Sequence, residues 1–402
     1  MTRLSSYFSL IKFKVSEQWC WYFLLAILFV PTFTDYGKLV VNFYRVWICI
    51  PVLICIRWKD FNPFMKDRFV QLFLLLTAWF ALSLLWSDSD KINNMAAKML
   101  ATLALLFLIF NISRYQLERF RKLDYYYVLA ALILLSAVYY KWGVIDTRLP
   151  DVIFGVFDNR NPIAWFSSSA AIISFFHVLH ARNRIHLLLF SISFLLLASA
   201  TLSLSSRGAL LGLLAGMIIV AFSKVDSLKS FFVYFSISLI AFLTVITVIE
   251  LYYSDYFSSL IERADSHRFE IYANAITRIT ESPSTLFFGH GIAASPRNMV
   301  GETVINNWHS IYINATFYGG IIALVLLLVC LLKRPYEIII KKSKISSWDA
   351  VVLGMMVTLQ FDGHRIYEYP GGLLFVLTIP MFVANILASS NKKLNMKTKE
   401  NV

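Results

Sequence analysis

Charge is scarce in this sequence. Only 15% of its residues are Asp, Glu, Lys or Arg, whereas 58% are hydrophobic and mean hydropathy is +0.65. A soluble domain has no interior large enough to hide that much apolar surface, so the chain reads as a polytopic membrane protein. Cysteine is scarce too, and Cys20, Cys49, Cys55 and Cys330 all lie in apolar runs. There a thiol is a small buried hydrophobe, not part of a disulfide frame or a metal cluster. A phosphate-cradling Gly-rich loop is missing, as are a Ser/His/Asp nucleophile arrangement and zinc-ligand spacing. ATP-driven chemistry is therefore not indicated, and no cofactor is expected. Internal repeats and low-complexity segments are also missing. The first apolar run starts near Trp19 and leads straight into further spans without a small-residue cleavage pattern. A cleaved signal peptide is not expected.

What the chain has is aromatic and apolar. Phe (34) and Tyr (20) dominate the aromatics, as suits lipid-facing and interfacial helices. A span needs about 20 apolar residues. On that measure twelve are predicted, at 19–34, 39–56, 69–86, 94–112, 123–142, 161–181, 185–204, 207–223, 230–251, 309–332, 348–364 and 370–388. With the N-terminus in the cytoplasm, the inside segments gather Arg57, Lys59, Lys66 and Arg68, then Arg114, Arg119, Arg121 and Lys122, then Arg182, Arg184, Lys224 and Lys229. The last inside groups are Lys333, Arg334, Lys341, Lys342 and Lys344, and the terminal lysines from Lys392 to Lys399. Every loop on that side is basic, as the positive-inside rule asks. The net charge of +13 is then a topology signal, and no nucleic-acid partner is implied.

The predicted class is an all-α integral membrane protein forming one polytopic domain over 1–402. Three segments on the outer side stand out. The loop at 143–160 carries Asp146, Arg148, Asp151, Asp158 and Arg160. Spans seven and eight are joined by little more than Ser205-Ser206-Arg207-Gly208. Residues 252–308, between spans nine and ten, form the one large hydrophilic block. Within it, Phe269, Tyr272, Ile276 and Ile279 recur at helical spacing, which predicts an amphipathic helix lying over the bundle with that face inward. Pro283 and Gly289 end it. The segment 389–402 reads as a cytoplasmic tail, solvated and disordered after Ser390.

Three side chains on the outer side suggest chemistry. An arginine at a span boundary ordinarily snorkels to headgroups. Arg207 follows a very short turn, however, and Gly208 and Gly212 let neighbouring helices close in, which favours an inward position. Arg268 starts the amphipathic helix, where free N–H groups and the helix dipole also favour anions. The competing reading is a surface ion pair with Asp265 or Glu262. Two guanidiniums on one face can grip a diphosphate bidentately. His309 opens the tenth span, and an imidazole can accept a hydroxyl proton near neutral pH. Its alternative is a packed interfacial histidine. Lys98, Asp362 and Arg365 are possible supporting residues, with Asp362 placed to orient His309 or pair with an arginine. Asp88-Ser89-Asp90 is a short acidic match that could hold a divalent metal, but such tripeptides are common in loops, and no metal is expected.

These residues resemble the O-antigen ligase family, whose superfamily also holds O-antigen polymerases. Arg207-Gly208-Ala209-Leu210-Leu211 fits its Arg-x-x-x-Leu. His309-Ser310-Ile311-Tyr312-Ile313 with Gly320 fits His-Asn/Ser-x-x-Leu-x6-Gly, with Ile for Leu. Arg268 to Tyr272 and then Gly289-His290-Gly291 fit its Arg…Trp…Gly-x-Gly run, with Tyr at the Trp position. Twelve spans and one long outer loop match the family layout over nearly the whole chain. The resemblance implies a glycosyltransferase of the C type in the bacterial inner membrane, with both termini cytoplasmic and a periplasmic active site. The donor would be an undecaprenyl-diphosphate-linked glycan and the acceptor a lipid A–core sugar hydroxyl, with Arg207 and Arg268 on the diphosphate and His309 as base. An O-antigen polymerase would use the same donor. A protein O-glycosyltransferase would carry a large periplasmic domain after the spans, and a lipid-linked glycan flippase would need polar residues through the bilayer centre.

Overall fold

The computed structural model describes residues 17–33, 58–89, 91–142, 159–224, 268–296, 298–300, 303–305, 307–341, 343–367 and 371–400, together with Phe43, Phe157 and Ser236. Helices are α1 (Glu17–Phe33), α2 (Trp58–Met65), α3 (Arg68–Leu82), α4 (Ile92–Tyr115), α5 (Leu117–Phe120), α6 (Leu123–Trp142), α7 (Arg160–Leu179), α8 (Arg184–Ser203) and α9 (Arg207–Phe222). They continue as α10 (Arg268–Ile279), α11 (Pro283–Phe288), α12 (Ile311–Lys341), α13 (Ser347–Phe361) and α14 (Ile379–Glu400). Among the described residues, the expected all-α class is departed from at one place, a short antiparallel hairpin of β1 (Asn298–Val300) with β2 (Thr303–Ile305) between α11 and α12.

Six helices among the described residues are long and apolar enough to cross a membrane, and four shorter apolar helices sit where the first, eighth, eleventh and twelfth spans were expected. The protein is thus an α-helical, membrane-embedded chain. The spans expected at 39–56 and 230–251, most of the 143–160 loop, and Asp90, Glu262 and Asp265 lie outside the described residues. One expectation is overturned at the C-terminus. The segment after Ser390 does not leave the last span as an irregular end, because α14 runs on to Glu400. Its run of Lys, Asn, Met and Glu contains no Gly or Pro to stop a helix.

Small residues set the central contact. A Cβ on Gly212 would meet the Thr358 hydroxyl and, at 2.8 Å, the Gly354 carbonyl, while Gly354 in turn faces Gly212 and Gly216. Helices α9 and α13 therefore approach with their backbones nearly touching, the geometry that gives apolar helices extensive dispersion contact in lipid. The pairing is antiparallel, so Arg207 stands at the Phe361 end of α13 and the Ser347 end lies opposite.

That opposite end is held by buried charge. Asp124 accepts hydrogen bonds from Ser347 Oγ (2.7 Å) and Trp348 Nε1 (2.6 Å) and meets His177 Nε2 at 3.0 Å. It joins α6, α7 and α13. Arg334 forms a bidentate pair with Asp349 at 2.8 and 3.0 Å and also reaches Glu337 at 2.7 Å. Asp349 simultaneously caps α13 through Ser346. Buried charges persist when every partner is in place, and these pairs pin the relative height of α12 and α13.

Candidate active site

The segment Asn307–Ser310 is where the outer loop turns into α12. Asn307 Oδ1 accepts from the His309 N–H at 3.2 Å and from Asn314 Nδ2 at 3.1 Å, while Asn307 Nδ2 donates to His364 Nδ1 at 2.9 Å. Asn314 also donates to the carbonyls of Ser310 and Gly363. This amide network holds His309 in the left-handed region, at φ 49°. A non-glycine residue kept there requires surroundings that over-determine it, a feature that clusters at functional sites.

The His309 ring lies with Nδ1 3.3 Å from Asp362 Oδ1. Asp362 ends α13 and is only 2% exposed, whereas a third of the His309 side chain is accessible. An ionised carboxylate can only accept, so the pair favours the tautomer protonated at Nδ1, in which Nε2 keeps its lone pair. Asp362 Oδ2 is buried without a hydrogen-bond partner among the described residues.

Both arginines fall at this end. Arg207 is the first residue of α9, half-buried, and a Cβ on its neighbour Gly208 would lie 3.9 Å from the Asp362 Cβ. Arg268 is the first residue of α10 and half-buried. One turn later, the Tyr272 hydroxyl donates to the Gln360 carbonyl at 3.0 Å and lies 3.4 Å from the His309 carbonyl. Burial pushes this phenol above its ordinary range. The Arg268 charge opposes the shift, and the Asp362 charge adds to it. Arg268 and Asp362 thus both bear on one hydroxyl.

The face that α10 turns inward differs from the expected one. Ile271, Ala275 and Ile279 are buried and Tyr272 is half-buried, but Phe269 is 83% exposed and Ile276 55%. Several apolar registers satisfy helical spacing when a short helix is apolar on two sides, and docking against α12 selects one of them.

Beneath α10 the loop is clamped to α12. The His290 and Gly291 N–H groups donate to the carbonyls of Phe317 and Tyr318 at 2.8 and 2.9 Å. His290 stacks on Phe317 with centroids 4.5 Å apart, and its Nε2–H donates to the Arg278 carbonyl at 3.1 Å. The Arg278 guanidinium covers the same Phe317 ring, 4.8 Å from its centroid. Gly289 and Gly320 both have positive φ and face each other's chain segments. A Cβ on Gly320 would strike the Phe287 carbonyl, and one on Gly289 would come within 2.6 Å of the Gly320 nitrogen. Only glycine combines that conformation with that approach.

The supporting candidates divide. Asp362 joins His309. Arg365 is committed elsewhere, with Nε on the Tyr318 hydroxyl and Nη2 on the Ala294 carbonyl, so it braces the loop instead of facing the imidazole. Lys98 stands on α4, which packs against α1, α2, α3, α5 and α14. Asp88 is exposed beyond α3. Sequence reasoning passed over Asn307 and Asn314. An Asn two residues before a residue that must take positive φ was the available signal.

Residues 192–328 match the O-antigen ligase family. The matched stretch contains Arg207, Arg268 and His309, bearing out the resemblance read from the motifs, while Asp362 lies beyond it and is brought in by the fold. A comparison with curated proteins gives no match. The match over residues 192–328 supports a membrane enzyme of glycosyltransferase type, acting in polysaccharide synthesis on lipid-linked substrates.

Proposed function

We propose that the protein is an O-antigen ligase. It transfers a glycan from undecaprenyl diphosphate to a sugar hydroxyl of lipid A–core, at the periplasmic face of the bacterial inner membrane, with inversion and without metal. The observation that carries this reading is the His309–Asp362 pair, with a third of the His309 side chain accessible, at the end of the molecule where α9 starts with Arg207 and α10 with Arg268.

In the proposed reaction, Nε2 of His309 takes the proton of the acceptor hydroxyl as its oxygen bonds to the anomeric carbon. The bond from that carbon to the diphosphate oxygen breaks, and undecaprenyl diphosphate leaves with the electron pair. Arg207 and Arg268 stabilise the charge gathering on the departing phosphate, a contribution that grows towards the transition state. Asp362 holds the tautomer and stabilises the imidazolium once formed. Apolar walls keep both lipids in the membrane plane and exclude water that would hydrolyse the donor.

The test uses a deletion strain complemented with wild type or with His309→Gln, together with transfer assays in vesicles holding purified donor and acceptor. Gln keeps hydrogen bonding and volume but cannot carry the proton, so a loss of about 10²–10⁴-fold in transfer is expected. Donor binding should persist. The deletion strain should show uncapped core and accumulated lipid-linked polymer. Core capped with one repeat would make the protein a polymerase, and absence of exported donor would make it a flippase. Wild-type transfer by His309→Gln would remove His309 as base.

A further inference from the structure

Three of the four groups assigned to the reaction sit on separate segments that meet at one point: Arg268 on α10, His309 before α12 and Asp362 after α13. The apolar contacts of Ile271, Ala275 and Ile279 are non-directional, and the Arg278 end of α10 is held by His290 and Phe317, which leaves the position of the Arg268 end to be set by contacts nearer to it. Among the described residues, a polar contact crosses all three segments. The Tyr272 hydroxyl, on the turn of α10 that follows Arg268, donates to the Gln360 carbonyl in the last turn of α13 and lies beside the His309 carbonyl. Carbonyls in a final helical turn have no partner within the helix and need an outside donor.

We propose that Tyr272 is a positioning residue whose hydroxyl fixes the arginine-bearing helix α10 against the segments that carry His309 and Asp362. This rests on the ligase reading above. Its function follows from the geometry of the transfer. Attack and departure occur on opposite sides of one anomeric carbon, so the group that holds the leaving phosphate and the group that takes the acceptor proton must be correctly spaced at the same instant. A helix that slides by a fraction of an ångström can still hold donor in the ground state, but it loses the transition-state geometry. A phenol is protonated at physiological pH, and burial moves this one further from titration, so it serves as a permanent donor.

The experiment is steady-state transfer by full-length protein in vesicles, for wild type, Tyr272→Phe, Arg268→Ala, the Tyr272→Phe/Arg268→Ala double variant and His309→Gln. Tyr272→Phe keeps the ring and deletes one hydrogen bond, so turnover should fall about 3- to 10-fold while the donor KM stays within about two-fold. In the Arg268→Ala background the same change should add little, because there is no guanidinium left to place. Unaltered turnover per folded molecule, a change confined to KM, or full additivity with Arg268→Ala would each overturn the proposal. Loss of transfer in Arg268→Ala and His309→Gln with full turnover in Tyr272→Phe would sink the positioning role alone. Wild-type transfer in Arg268→Ala and His309→Gln would sink the ligase reading and this proposal together.

Discussion

A guanidinium at the first residue of a helix adds its own charge to free backbone N–H groups, and Arg207 and Arg268 both occupy that position. Replacing either by Ala should weaken donor use by about 1.5–3 kcal/mol, or roughly 10- to 100-fold, with insertion unchanged. Lys should restore only part of the loss, since a point charge lacks the planar fork. Full transfer by the double alanine variant, measured with purified lipid-linked donor, would end the diphosphate-clamp idea. At this scale much was legible in the sequence. His309 and Arg207 stood out as polar residues at the starts of expected spans, and Arg268 as the start of the expected loop helix. Asp362 was legible as a residue able to orient His309 or pair with an arginine, but the sequence could not choose between them, because His309 is 53 residues away and the pairing is a product of how α13 meets α12. The Asn307–Asn314–His364 network was not legible, since an amide's partners are set by tertiary packing and not by spacing.

Elements add a constraint that no single residue carries. The loop from Gly289 to Ala294 is joined to α12 by backbone hydrogen bonds, to the end of α3 by Ser83 and Ser87, and to Arg365. It forms a rigid floor under α10. His290 is the titratable group in that floor. Burial depresses its basicity, with the nearby Arg278 charge acting in the same direction, while its bond to the Arg278 carbonyl and the Glu281 charge oppose. The folded state therefore prefers neutral His290, whereas an undocked loop would take up a proton near the ordinary value of 6.5. Docking should be fully stable above about pH 6.5 and weaken as pH falls from there towards the depressed folded value. Hydrogen exchange across 285–296 in detergent should accelerate between pH 7 and 5 in wild type and stay flat in His290→Phe. Equal acceleration in both would show that another group governs the floor. The motif glycines were visible in the sequence, but not that Gly289 and Gly320 face each other, because that contact needs α12 to break at Gly320. The inward face of α10 was misjudged for a related reason: its sequence is apolar on two sides, and only docking chooses between them.

The whole molecule has two chemically different ends. Along the antiparallel pair α9 and α13, one end carries Arg207, His309 and Asp362, and the other carries the Asp124 and Arg334–Asp349 knots. The second end is also where the sequence gathers its basic loops, from Arg114–Lys122 through Arg182 and Arg184 to Lys333–Lys344. Charge bias in short loops orients spans with basic loops inside, so the site end should face the periplasm. Ten of the twelve expected spans coincide with described helices. They were legible because lipid admits only backbones that satisfy their own hydrogen bonds, so apolar length and helix go together. The orientation can be checked with alkaline-phosphatase and fluorescent-protein fusions at three positions in the intact coding sequence. Fusions at Ser227 and Ser343 should report cytoplasm, and a fusion at Ser295 periplasm. Ser295 is the decisive position, because it closes the floor beneath the helix that carries Arg268. A cytoplasmic signal there would put His309, Arg207 and Arg268 on the side where the basic loops lie. The diphosphate-linked donor would then have to be used before export, and an O-antigen ligase reading could not stand.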